Sequence, residues 1–236
     1  MVFQTKPQIA LDLIDQAQAN GIEVMAWTAD ELYGRDGAFL DGLDERGEAY
    51  VVEIPPNAHA WLTKPKVLRR PPQNRLARSQ KYPRLRKRDW KPCDVRNLVT
   101  YSPAFRQQTP QRYHIKDTHR GSEVWEIRWH RCWRKTHTNK LVSTQCTLIV
   151  ARNVLTGETK YFLANRVPGR DGWSLRKLLR VAFGRWAIDD CYRDAQQELG
   201  FDHFECRGWP CIQRHHYETI MSQLYCAQVR QKFSSS

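Results

Sequence analysis

Long hydrophobic runs and acidic residues are both scarce in this sequence of 236 residues. No apolar stretch approaches the roughly 20 residues that a membrane-spanning helix needs, and the first residues do not show the pattern of a signal peptide. The sequence also lacks the GxxxxGKS phosphate loop and the glycine fingerprint of dinucleotide-binding domains. We therefore expect neither a membrane protein nor a nucleotide-binding enzyme of these two kinds.

Cysteine is present without a disulfide or zinc pattern. The seven cysteines are odd in number and follow no regular framework, which fits a reducing compartment better than a disulfide-stabilised secreted domain. No pair of them has the CxxC spacing that is typical of structural zinc sites. We therefore expect a cytoplasmic protein, associated with the nucleoid if it binds DNA.

Positive charge is in clear excess. Lys and Arg number 38 against 25 Asp and Glu, for a formal net charge of +13, and such an excess favours a polyanionic partner. Most of it comes from residues 57–112, which several prolines make irregular. The cations that we expect to bind nucleic acid are Arg84, Arg86, Lys87, Arg88, Arg207 and Arg214. The alternative is that residues 57–112 form a solubilising loop.

The first 54 residues alternate between helical and extended patterns. Residues 8–19 have apolar side chains at helical spacing, with Ile9, Ile14 and Leu13 in the apolar stripe. Residues 22–28 favour a strand, residues 37–46 a second helix, and residues 49–54 a second strand. This order and spacing predict a parallel, right-handed α/β unit.

The middle of the chain is typical of β structure. Residues 124–133 alternate, so that Trp125, Trp129 and Trp133 share a face that we expect to pack in the core. Thr156, Gly157 and Glu158 separate two apolar runs and predict a hairpin. A last helix is expected from about residue 212 to residue 231.

Asp30 comes at the predicted end of the first strand. Parallel sheets bind their ligands at the carboxyl ends of their strands, so an acid there is a candidate for catalysis or metal binding. The alternative is that Asp30 caps the following helix.

Residues 184–200 predict a helix that ends at Gly200. Arg185, Asp189, Tyr192 and Gln196 are spaced four, three and four residues apart and share one face of it. An arginine, a carboxylate and two hydrogen-bonding groups could hold a metal ion and a phosphate together. The alternative is a solvated charged face.

Two blocks of the sequence resemble bacterial insertion-sequence transposases of the DDE class. Phe3-Gln4-Thr5-Lys6-Pro7 followed by Thr28-Ala29-Asp30-Glu31-Leu32-Tyr33-Gly34 is similar to the block that carries the second catalytic aspartate. The residues from Arg185 to Trp209 are similar to the helix that carries the third acid, which falls on Asp189. Both blocks occur in the order that the family has.

The resemblance implies a fold, a cofactor and partners. The fold class is α/β, a ribonuclease-H-like core that is incomplete at the N-terminus, with a β-rich insertion between the second and third acids. The implied domains are residues 1–56, the basic β-rich insertion 57–168, and residues 169–233, which complete the core. Asp30 and Asp189 would bind Mg²⁺ or Mn²⁺, with Arg185, Tyr192 and Gln196 supporting them. DNA, as transposon ends and target, is the implied partner, and the chain could form a homodimer.

The sequence departs from the family pattern at several positions. The usual glutamate is Asp189, the usual lysine is Gln196, and the family's first catalytic aspartate has no candidate here. We therefore expect a truncated transposase copy whose sheet exposes an edge. The alternatives are a catalytically inactive, basic DNA-binding remnant and a nucleic-acid-binding protein that never cut DNA.

Overall fold

The computed structural model of the protein describes residues 3–68, 83–86, 91–118, 121–137, 141–205 and 207–234. The chain divides into two compact units, Met1–Phe183 and Gly184–Ser236. The first unit contains a mixed sheet with helices on both faces, and the second unit contains a pair of helices. The domain boundaries at residues 56 and 168 stay a prediction.

The first unit begins with the predicted α/β arrangement. Its elements are α1 (Lys6–Ala19), β1 (Trp27–Ala29), α2 (Glu31–Gly34), α3 (Gly37–Glu45) and β2 (Tyr50–Ile54). Strands β1 and β2 are parallel, with Thr28 opposite Val51, which confirms the predicted parallel pair. Strand β1 ends at Ala29, so Asp30 lies directly at its carboxyl end.

The strand prediction for residues 22–28 is wrong at its start. Ile22, Val24 and Met25 are 55%, 41% and 53% exposed, and the strand begins only at Trp27. Their apolar, β-favouring side chains produced the prediction, but the chain pairs with β2 only from Trp27 onwards. Strand β1 ends the strand order of the sheet, and the described residues place no strand on its outer side.

Helix α1 confirms the predicted helix but not its apolar stripe. Ile14 is buried, and Ala10 and Leu11 pack against the core, whereas Ile9 and Leu13 are 43% and 57% exposed. The inward face is therefore rotated towards Leu11, a shift that sequence periodicity alone leaves open because apolar residues occur on both sides.

The other elements of the first unit are further strands of the same sheet, a separate pair of strands and three helices. They are β3 (His59–Trp61), β4 (Val67–Leu68), β5 (Arg84–Leu85), β6 (Cys93–Asp94), α4 (Val95–Tyr101), α5 (Pro103–Arg106), β7 (Gln111–Thr118), β8 (Gly121–Arg134), β9 (Cys146–Asn153), β10 (Thr159–Ala164) and α6 (Leu175–Gly184). The strand order is β1-β2-β10-β9-β8-β3-β6, with β7 on β8 and a separate β4-β5 pair. Strand β10 runs antiparallel to β2, and the predicted hairpin joins β9 to β10.

Both faces of this sheet are covered. On one face, Cys132, Cys146, Leu148 and Leu163 pack in a buried cluster with residues of α1 and α3 to α5. On the other face, the ring of Phe183 at the end of α6 lies 5.3 Å from the ring of Trp125 and 5.5 Å from that of Phe162.

The tryptophan face of β8 is only partly buried in the core. Trp125 is 1% exposed, which confirms the expectation for that residue, while Trp129 and Trp133 are half-buried. Residues on the alternate face of the strand, Cys132 and Arg134, are buried as well. A strand that is covered on two sides does not show its inward face by alternation alone.

A buried ion pair joins β8 to α3. Arg134 Nη1 lies 2.6 Å from Asp41 Oδ1, and Nη2 lies 2.6 Å from Asp44 Oδ2. Asn165 Nδ2 donates to the other oxygen of Asp44 at 3.0 Å. Burial alone would lower the pKa of Arg134, but Tyr50, Asp44 and Asp41 hold it above its usual value. The guanidinium therefore stays charged, and two carboxylates compensate it.

The second unit consists of α7 (Trp186–Leu199) and α8 (Trp209–Ser234). Gly200 ends α7 with φ of 65°, as predicted, and α8 confirms the last helix and extends it at both ends. Gln223 Nε2 on α8 donates to the backbone oxygen of Cys191 at 2.7 Å, which ties the two helices together. Cys211 is disulfide-bonded.

None of the helices in the described part of the chain is long and apolar enough to cross a membrane.

Candidate active site

Asp30 lies at the carboxyl end of β1 and begins helix α2. Its Oδ1 accepts hydrogen bonds from the backbone N–H groups of Leu32 at 3.0 Å and Tyr33 at 3.4 Å. The capping interpretation of Asp30 is therefore confirmed. In the described part of the chain no donor binds Oδ2, and the residue is half-buried. One carboxylate oxygen thus holds the local fold, and the other accepts no hydrogen bond from the described residues.

Gly34 fixes the position of α2 and hence of Asp30. A Cβ atom at Gly34 would overlap the carbonyl oxygen of Glu53 on β2. Glycine is the residue that permits such a close approach of two backbones. Gly34 therefore lets α2 pack closely against β2. This packing places Asp30, at the start of α2, near the end of β2.

An open cleft of about 1030 Å³ lies beside α2 and the carboxyl end of β2. Its deep residues are apolar and buried, among them Leu40, Ile54, Leu148 and Leu163. Its exposed charged or imidazole side chains are Glu31, Arg35, His59, Arg84, Lys91, Lys135 and His137. Glu31 is the residue after Asp30, so this cleft and Asp30 are neighbours at one edge of the sheet.

Asp189 lies in the first turn of α7, beside Arg185. Its Oδ2 is 3.7 Å from Arg185 Nη1, and the two side chains are 62% and 23% exposed. A long, solvent-exposed pair of this kind stabilises a helix little. The carboxylate is therefore accessible, and Arg185 lies within ion-pair distance of it.

The other predicted residues of this helix are also exposed. Tyr192 is 54% exposed, and its ring meets that of Phe201 edge-on at 6.2 Å. Gln196 is exposed one turn further on. Their shared face on α7 follows from the observed helix, while their supporting roles stay a prediction.

The structure describes four of the six cations that were predicted to bind phosphate. Arg84 is exposed on β5, and Arg86 is half-buried with its backbone N–H bonded to Lys66 O at 2.9 Å. Lys87 and Arg88 lie outside the described residues. Arg207 and Arg214 are exposed in the second unit. Accessible positive charge is therefore present on both units.

The two predicted metal ligands lie in different units, Asp30 in Met1–Phe183 and Asp189 in Gly184–Ser236. Within the described residues, no group of three or more His, Cys, Asp or Glu side chains is arranged to hold a metal ion. Carboxylate oxygens are the ligands that Mg²⁺ prefers, so each acid has suitable chemistry. A shared metal site on Asp30 and Asp189 stays a prediction.

The sheet with an acid at the end of a parallel strand is consistent with a DDE or ribonuclease-H-like enzyme class. A family model described as DDE superfamily endonuclease matches residues 1–122, which is more than half of the chain. The chain belongs to the DDE superfamily endonucleases. This confirms the expected DDE class, whose members act on DNA and generally use divalent metals. None of the curated proteins searched matches the chain.

Sequence reasoning named Arg84 but missed the other basic side chains of the cleft. Arg35, Lys91 and the closely spaced Lys135 and His137 come from three separate parts of the chain, and the fold alone brings them to one cleft. Arg35 follows the Asp30 block directly, which was the one available signal. The other three stand among many cations and histidines without distinctive spacing.

Proposed function

We propose that the protein is a DNA transposase that cleaves DNA and transfers strands by a metal-dependent DDE-type mechanism. The observation that carries this proposal is the family match over residues 1–122, which includes Asp30 at the carboxyl end of β1. The positively charged composition supports a DNA substrate.

In this proposal Asp30 and Asp189 are the carboxylates that hold the divalent metal, Mg²⁺ or Mn²⁺. When bound, the metal would supply Lewis-acid activation of the attacking hydroxyl and stabilisation of the leaving oxygen in an in-line displacement at phosphorus. Asp30 offers Oδ2, because Oδ1 is bonded to the start of α2. Asp189 offers an exposed carboxylate.

Arg185 would position Asp189 or a DNA phosphate. Its guanidinium is close enough to bias the orientation of the carboxylate and retains donors that could bind a phosphate. Tyr192 and Gln196 would supply neutral hydrogen bonds further along α7. An aspartate is one methylene shorter than a glutamate, so a metal on Asp189 would lie closer to the helix than in the family pattern.

The finer family features belong to the same proposal. They are an origin in a bacterial insertion sequence, a ribonuclease-H-like core with residues 57–168 as a β-rich insertion, a missing first acid, and function as a dimer on transposon ends. The pairing of β10 with β2 supports a single sheet that combines core and insertion strands. The family's first acid has no assigned residue.

The test is divalent-metal-dependent nicking of supercoiled DNA by the full chain. Asp30→Asn keeps a side chain that can cap α2 but removes the charge, and it should abolish nicking. Asp36→Asn is the matched control, because Asp36 caps α3 through bonds of 2.9 and 3.0 Å to Ala38 and Phe39. It should leave nicking unchanged.

The same pairing of a test variant with a control variant applies to Asp189 on α7. Asp189→Asn should abolish nicking, and Asp190→Asn should not, although Asp190 also contacts an arginine of its helix, at 2.6 Å from Arg193. Nicking that survives in Asp30→Asn or Asp189→Asn would refute the site assignment.

The second candidate function is a DNA-binding protein without cleavage activity. The capping role of Asp30 favours it, because a carboxylate that holds α2 has a structural reason to be present. DNA binding without nicking by the wild-type chain, in Mg²⁺ and in Mn²⁺, would select this alternative.

A further inference from the structure

The cleft beside α2 has the chemical character of a site for a polyanionic chain. Its mouth carries Arg35, Arg84, Lys91 and Lys135, which are all exposed. They come from the end of α2, from β5, from the segment before β6 and from the residue after β8. Cations from four elements that surround one cavity can contact a ligand at several successive points.

The described residues do not neutralise these four cations. Within the described residues none of them lies in an ion pair, whereas the deeper Arg134 is bound to Asp41 and Asp44. Glu31 is the one exposed carboxylate among the described residues at the mouth. Counted over the described residues, the mouth therefore has a net positive charge, and the buried arginine belongs to the scaffold behind it.

The fold also holds the cleft walls in place. His137 donates its backbone N–H to Asp41 at 2.7 Å, and its ring lies so close to Gly37 that a Cβ there would overlap it. Lys135 is the neighbour of the buried Arg134. Pre-positioned groups bind with a smaller entropy cost than mobile ones.

We propose that this cleft binds a single strand of DNA through its phosphate groups and leads that strand to Asp30. This rests on the proposed function for its choice of DNA. The cleft of about 1030 Å³ is of the size that takes small ligands, which suits a few nucleotides of one strand. Single-strand sites combine a basic groove with rings on which bases stack, and His59 and His137 line this one.

The position of the cleft agrees with that path. Parallel strands β1 and β2 end at the same edge of the sheet. Asp30 follows β1, while Ile54 and Pro55 at the end of β2 line the cleft. A strand bound there lies next to the carboxylate that the proposed chemistry uses.

The experiment measures binding of labelled oligonucleotides of roughly 12 nucleotides, a common site size, to the full chain by fluorescence anisotropy. Single-stranded and duplex forms are compared in EDTA over a range of salt concentrations. The test variant is the double substitution Lys91→Gln and Lys135→Gln. The matched control removes two exposed cations from α6, Arg176→Gln and Arg180→Gln, on the opposite face of the sheet.

The Lys91→Gln, Lys135→Gln variant should reduce the salt slope of single-strand binding by about 1.4, because each phosphate contact contributes about 0.7. At 0.1 M salt this corresponds to a roughly 25-fold weaker affinity. Glu31→Gln should tighten binding by up to about fivefold on the same relation. Circular dichroism of each variant checks that it is folded.

Two results would overturn the proposal. One is an equal loss of affinity in the α6 control, and the other is a loss of duplex binding as large as that of single-strand binding. Because EDTA removes metal-dependent cleavage, the outcome is separate from the nicking test. A chain that never nicks DNA but loses single-strand binding in the cleft variant would refute the proposed function and support this inference.

Discussion

Replacing Arg134 by methionine should be among the most destabilising substitutions in the chain. Arg134 is 5% exposed at its side chain and lies 2.6 Å from both Asp41 and Asp44. Methionine fills a similar volume but leaves a carboxylate at Asp41 that is only 7% exposed. Removing one partner of a buried ion pair typically costs about 3–5 kcal/mol, because the other charge stays buried without compensation.

The remaining hydrogen bonds set the expected value within that range. Asp41 keeps the backbone N–H of His137, and Asp44 keeps Asn165 and is itself 24% exposed. We therefore expect about 3 kcal/mol rather than 5, and a melting temperature lower by roughly 6–12 °C for a chain of this size. Urea unfolding followed by tryptophan fluorescence measures the change, with equal m-values as a check of two-state behaviour.

A surface pair provides the matched control. Arg46 Nε also lies 2.6 Å from a carboxylate, that of Asp15, but the two side chains are 27% and 48% exposed. Arg46→Met should therefore change stability far less than Arg134→Met. Equal effects of the two substitutions, or an Asp41→Asn, Arg134→Met double variant as unstable as the sum of the single ones, would refute the reasoning.

Three further predictions concern backbone and thiol chemistry. Gly34→Ala should destabilise the first unit by roughly 1–3 kcal/mol, measured by urea unfolding, with the open position Gly184→Ala as control. Gly200→Ala should cost about 1 kcal/mol, measured by thermal unfolding, because φ is +65° there. Burial raises the pKa of Cys146 from 9 to about 11, so its contribution to stability should be complete below pH 9 and be lost between pH 9 and 11. Urea titrations at pH 8 and pH 10.5 check this, with Cys146→Ala as the variant that should show a smaller loss.

The elements with a strong local signal could be predicted from the sequence. Helix α3, strand β2 and the β9–β10 hairpin follow from local apolar spacing and turn residues, and each occurs where it was expected. The start of β1 could not be predicted. Ile22, Val24 and Met25 have strand propensity, but pairing with β2 decides where a strand forms, and that pairing is a tertiary contact.

The candidate site also contains residues that the sequence predicts and residues that it does not. Asp30 and Asp189 stand in recognisable blocks, and their positions at a strand end and in a first helical turn are local consequences of sequence. The cations of the cleft are brought together by the sheet order β2-β10-β9-β8-β3-β6. No spacing along the chain encodes that order, because it follows from contacts between strands that are far apart in sequence.

The adjacency of Arg134 and Lys135 has a consequence for how this protein can change over generations. Arg134 holds β8 to α3, and its loss is expected to be severe, whereas Lys135 is exposed and makes no ion pair within the described residues. Substitutions at Lys135, Arg35 and Lys91 can therefore accumulate at little cost to folding. A new substrate preference could arise at the mouth of the cleft by single steps, while the buried pair beneath it keeps the architecture that all such variants share.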